Sequence, residues 1–136
     1  MKSVTLRFAA GIAVAAAAFA LPAFGQRASL AMLDGLEAGR WELHVRDPGK
    51  TVEQICFRDA RRLIQLRHPA DTCERLIIDD TASKVTVQYT CRGRGYGRTL
   101  IRRETGRLVQ IESQGIANGL PFSFSAEARR VGDCAA

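Results

Sequence analysis

Residues 85–129 read VTVQYTCRGRGYGRTLIRRETGRLVQIESQGIANGLPFSFSAEAR, and their alternation decides the fold. Val85, Val87, Tyr89 and Cys91 share one face, while Thr86, Gln88, Thr90 and Arg92 share the other. That is the two-residue period of a β-strand with one dry side and one wet side. The same period returns at Leu120 to Arg129, where Phe122, Phe124, Ala126 and Ala128 alternate with Ser123, Ser125, Glu127 and Arg129. Gly95 to Arg103 and Arg107 to Ile116 supply two strands between them. Glu104-Thr105-Gly106 and Ala117-Asn118-Gly119 are the turns, with the residue types that tolerate left-handed backbone.

Upstream, Leu76 to Ile78 pairs with Val85 to Cys91 across the turn Asp79-Asp80-Thr81-Ala82-Ser83. Trp41, Leu43 and Val45 alternate with Glu42, His44 and Arg46, and Asp47-Pro48-Gly49-Lys50 turns this strand into Thr51 to Phe57. Asp59 is positioned to cap a short helix with Ala60, Leu63, Ile64 and Leu66 inward. Arg61, Arg62 and Arg67 would face water, and Pro69 marks the end. Residues 26–38 form a lead-in, with Leu30, Leu33 and Leu36 at helical spacing, before a single β-rich domain over residues 39–134. The expected fold is mainly β (α+β). It is a curled antiparallel meander sheet, or partial barrel, with one short helix against its dry face.

The start of the chain has a different character. Lys2 and Arg7 precede the apolar run Phe8 to Leu21, then Pro22 and the small-residue pattern Ala23-Phe24-Gly25. A positive n-region, an apolar core and a small-residue site describe a secretory signal peptide over residues 1–25, cleaved after Gly25. The run is shorter than the ~20 apolar residues of a spanning helix, so no transmembrane anchor is expected after cleavage. With Lys2 and Arg7 removed, charge falls from +6 to 18 − 14 = +4, too mild to call for a nucleic-acid partner.

Cys56, Cys73, Cys91 and Cys134 all lie beyond the signal, and an even count in a small exported domain reads as two disulfides. Counting alone allows three pairings. Cys73 opens one arm of a hairpin and Cys91 closes the other, which favours Cys73–Cys91 and leaves Cys56 for Cys134. No C-x₂-C pair is present, which disfavours a metal site.

Gly39-Arg40-Trp41-Glu42, Cys56 before a short helix, the middle pair Cys73 and Cys91, and the ending Arg130-Val131-Gly132-Asp133-Cys134 together resemble domain-of-unknown-function family 3617. These are small exported proteins of Gram-negative bacteria, and the resemblance covers about residues 34–134. The family often has a proline soon after its first cysteine, where this chain has Phe57-Arg58-Asp59-Ala60. The resemblance implies a periplasmic, β-rich, disulfide-bonded domain and carries over no catalytic residue.

Candidate sites come from composition and pattern. Arg92, Arg94, Arg98 and Arg102, with Arg103, Arg107 and Tyr96 nearby, are candidates for an anionic-surface site through guanidinium forks. The plainer reading is a solvated strand edge whose arginines discourage further pairing. Trp41, Tyr89, Phe122 and Phe124 are candidates to line a cavity inside the curl, against the plainer reading of a core. His44 and His68 lack an adjacent nucleophile, and Asp79-Asp80 lacks the surrounding oxygens that calcium requires. No cofactor and no catalytic constellation are expected. The expected function is a non-enzymatic periplasmic binding module for an apolar or amphiphilic ligand. The alternative is an envelope structural or interaction protein meeting an anionic component through its arginines.

Overall fold

A computed structural model describes residues 29–70 and 72–135; the expected signal segment and the start of the lead-in lie outside the described residues. Seven antiparallel strands form one open sheet: β1 (Gly39–Asp47), β2 (Thr51–Phe57), β3 (Cys73–Asp80), β4 (Lys84–Cys91), β5 (Gly95–Thr105), β6 (Leu108–Ala117) and β7 (Leu120–Gly132). Their order is β2-β1-β7-β6-β5-β4-β3. Strands β3 to β7 are the expected meander. The β1–β2 hairpin departs from it, because β1 docks on β7 rather than β2 on β3.

The alternation maps onto transverse rows of the sheet. Val85, Ile101, Ile111, Ala126 and Val45 lie side by side across β4, β5, β6, β7 and β1, all buried. Burying an aliphatic side chain of this size contributes about 1.5–3 kcal/mol, so such rows hold the strands in register. A one-residue slip would turn every one of them to water. Another row reads Tyr89, Gly97, Gly115, Phe122. A Cβ on Gly97 would strike the Tyr89 ring, and one on Gly115 would strike the carbonyl oxygen of Tyr96. Two glycines between two aromatics therefore leave room for Tyr89 to lie over bare backbone.

Two short elements fill the inner face. The helix α1 (Ala31–Asp34) and its flanks bury Leu30, Met32, Leu33 and Leu36. This lead-in is tied to the sheet at Asp80, whose Oδ2 accepts from Leu30 N at 3.0 Å, and at Gly106, whose carbonyl accepts from Glu37 N at 2.9 Å. The helix expected after Asp59 is a 3₁₀ helix, Ala60–Gln65, with Asp59 Oδ1 accepting from Arg61 N at 2.9 Å as its cap. Ala60, Leu63 and Ile64 are buried, and Ile64 O accepts a 2.6 Å bond from Thr99 Oγ1, itself 2.8 Å from Ser113 Oγ. The connection from β2 to β3 thus crosses the middle of the sheet and is locked there.

Disulfides Cys73–Cys91 and Cys56–Cys134 are both formed, with Cα separations of 4.2 Å and 5.7 Å. Cys73 and Cys91 face one another in the β3–β4 ladder, as hairpin geometry requires. Cys56–Cys134 fastens the segment after β7 to the edge strand β2.

Candidate functional site

The four aromatics proposed to line an interior cavity do not frame one. Trp41 is fully buried, stacks on Phe57 at 5.2 Å between centroids and donates from Nε1 to Glu37 O at 3.0 Å. Tyr89 is 1% exposed, with its hydroxyl 3.2 Å from His68 Nδ1. Burial pushes the Tyr89 phenol up to about 12, against a smaller opposing effect of the Arg67 charge. Phe124 lies under the Arg67 guanidinium, 4.6 Å from its centroid, and Phe122 is partly buried beside Phe124 and His68. The α1 segment and the 3₁₀ helix occupy the space a ligand would need. Arg67, expected in water, instead covers this ring and pairs with Glu53 at 3.6 Å.

The glycine-rich arginine stretch is also dispersed. Arg98 and Arg102 stand on the outer face, flanked by Gln88 and Gln114, and by Lys84 and Gln110. Arg102 is 3.9 Å from Glu104, and Arg92, almost wholly exposed, is 3.9 Å from Glu74. The carbonyl of Arg94, in the β4–β5 turn, accepts from Asn118 N and lies 3.1 Å from His68 Nε2. Arg107 reaches Glu37, and Arg103 packs against Gly35. Arg92 and Arg94 thus lie in the β4–β5 turn, and Arg98 and Arg102 along the outer face of β5.

A different set of arginines converges. Arg58, Arg61, Arg62 and Arg75 line a cleft of about 610 Å³ beside the Cys56–Cys134 disulfide, together with Phe57, Asp59, Gln65 and Pro69. The start of the 3₁₀ helix carries Arg61 and Arg62, Arg58 stands just before its cap Asp59, and Arg75 projects from the inner side of the edge strand β3, opposite Tyr89. Arg61 is held by Asp34 at 2.7 Å, Asp59 at 3.2 Å and the carbonyl of Ser29 at 2.9 Å. Its bond to Asp34 is the main cause of a raised guanidinium pKa and of a lowered one for the Asp34 carboxyl. Arg62 donates to Cys56 O at 3.2 Å and Arg75 to Gln65 Oε1 at 2.8 Å, so both forks are oriented with donors to spare. Arg58 has no side-chain partner among the described residues. Against these four cations the lining holds one carboxylate, Asp59, a local balance of 4 − 1 = +3.

The remaining candidates have structural employment. His44 is half exposed, 3.3 Å from Glu42. His68 is buried and bridges Tyr89 to the β4–β5 turn, a role its position in a loop before Pro69 did not announce. Asp79 pairs with Lys84 at 2.6 Å and Asp80 anchors Leu30, both within β3 rather than in the turn after it. Among the described residues no group of three or more His, Cys, Asp or Glu is placed to hold a metal ion. No described helix is long and apolar enough to cross a membrane. Set against protein-family models, curated proteins and solved structures, the chain matches none.

Proposed function

We propose that this is an exported, non-enzymatic binding protein of the bacterial periplasm whose ligand is anionic, a phosphorylated or carboxylated molecule taken up in the arginine cleft. The convergence of Arg58, Arg62 and Arg75 on one cleft with a single carboxylate supports it most. Guanidinium groups bind such oxygens bidentately, and charge-assisted hydrogen bonds are about twice as strong as neutral ones. Supporting the compartment, all four cysteines are in disulfides, which persist in oxidising surroundings. The filled inner face offers no comparable support for an apolar ligand.

Calorimetric titration with pyrophosphate, citrate and vesicles containing an anionic phospholipid tests the proposal. Saturable binding of at least one is expected. Arg58→Gln and Arg75→Gln should each weaken it about 10- to 100-fold, the equivalent of about 1.5–3 kcal/mol for a hydrogen bond to a charged group. Binding to none of the three, or affinities unchanged in both variants, overturns it.

A further inference from the structure

The outer face of the sheet carries a groove of different chemistry. Across β4, β5, β6 and β7 one transverse row reads Gln88, Arg98, Gln114, Ser123. The adjacent row reads Thr86, Leu100, Glu112, Ser125 and continues to Asp47 at the end of β1. Two hollows of about 310 Å³ and 420 Å³ follow these rows and share Arg98, Gln114 and Ser123, forming one groove. Tyr96, half exposed, stands at its rim one position before Gly97.

The polar groups of this groove are not spent on one another. Gln88, Arg98, Glu112 and Gln114 have no side-chain hydrogen bond or ion pair among the described residues, whereas Gln110, also on the outer face, is engaged by Arg46 and Glu127. Gln88 and Gln114 each present a donor and an acceptor in one plane, with the Arg98 fork between them. The charged lining is Arg98 against Asp47 and Glu112, a balance of 1 − 2 = −1, which repels the anions favoured by the arginine cleft. Apolar lining is limited to Leu100 and the edges of Phe122, Phe124 and Tyr96.

We infer that this groove binds a neutral saccharide chain. Paired donors and acceptors on planar side chains match vicinal hydroxyls, carboxylates accept from further hydroxyls, and an exposed tyrosine ring offers a flat face to a pyranose. The strand spacing of about 4.8 Å is close to the length of one pyranose unit, so successive sugars meet successive strands. The site is independent of the arginine cleft.

Its test is an array of neutral oligosaccharides probed with the exported protein, followed by titration of the best binder. Gln114→Ala and Tyr96→Ala should each weaken that binding about tenfold, with unfolding midpoints close to wild type because both side chains are exposed. Arg58→Gln should leave it unchanged. No binding anywhere on the array, or binding insensitive to both groove variants, overturns the inference. Loss of saccharide binding in Arg58→Gln with the groove variants unaffected would overturn it by assigning the sugar to the other cleft.

Discussion

Replacing Cys56 and Cys134 by serine removes the longer of the two covalent cross-links among the described residues. Cys56 is exposed and Cys134 only partly buried, so the hydroxyls leave no desolvated polar group and the change isolates the cross-link. The bridge closes a segment of 78 residues. In the loop-entropy account, that constraint lowers the unfolded chain's entropy by about 15 cal/mol/K, or about 4.5 kcal/mol at 25 °C. The 18-residue span of Cys73–Cys91 gives about 3.2 kcal/mol by the same relation. Domains of this size are stable by about 5–15 kcal/mol, so the longer bridge is a large share of the whole. Urea unfolding without reductant, followed by tryptophan fluorescence from the buried Trp41, measures the loss. With a slope of about 1.5 kcal/mol/M the midpoint falls by about 3 M. The damage should start at β2, which pairs only with β1, so amide exchange in Thr51–Phe57 should accelerate before that in β5 and β6. A midpoint shift under 0.5 M, or uniform acceleration across the sheet, would refute the account of Cys56–Cys134 as the clamp on this edge.

Two further outcomes follow from the inner face. Folded Tyr89 keeps its proton to about 12, while an unfolded tyrosine loses it near 10. The unfolded state then binds fewer protons in that window, so stability is intact below pH 10 and falls as pH rises through it, by at most roughly 3 kcal/mol in all; urea midpoints at pH 8 and pH 11 check the sign, and Tyr89→Phe should flatten the dependence. Gly115→Ala puts a methyl group against the carbonyl of Tyr96 and should cost about 2–3 kcal/mol, in the range of overpacked cores. Gly93→Ala, at φ 74° with open space around it, should cost only about 1 kcal/mol by the same unfolding assay.

What the sequence disclosed depended on how local each feature is. The dry and wet faces of β1, β4 and β7 follow from alternation, and each residue assigned inward at Val85 to Cys91 is buried. The Cys73–Cys91 pairing needed only one hairpin. The union of β1 with β7 has no local signature, since it joins Trp41 to Arg130 across most of the chain. The arginines misled for a related reason. Arg92 to Arg102 are neighbours in sequence, and alternation does keep Arg98 and Arg102 on one face of β5, but Arg92 and Arg94 fall in the turn before that strand, where the period no longer applies. Arg58 and Arg75 are far apart in sequence and meet only because the 3₁₀ helix crosses the sheet between β2 and β3. That same crossing turns the expected aromatic cavity into a core. The run Arg58-Asp59-Ala60-Arg61-Arg62 around a helix cap was the available signal for the cleft.

The position of β1 between β2 and β7 also has a consequence for how the chain is made. A protein emerges from its N-terminal side, so the β1–β2 hairpin exists long before Leu120–Gly132 arrives to receive it. An isolated two-stranded hairpin is at best marginally stable in water, and its apolar residues Trp41, Leu43 and Phe57 stay uncovered until then. The meander from β3 onward can zip by neighbouring contacts, but the sheet cannot be completed from the front. Its first strand waits for its last, so the hairpin is the segment that a holding chaperone would have to shield during synthesis.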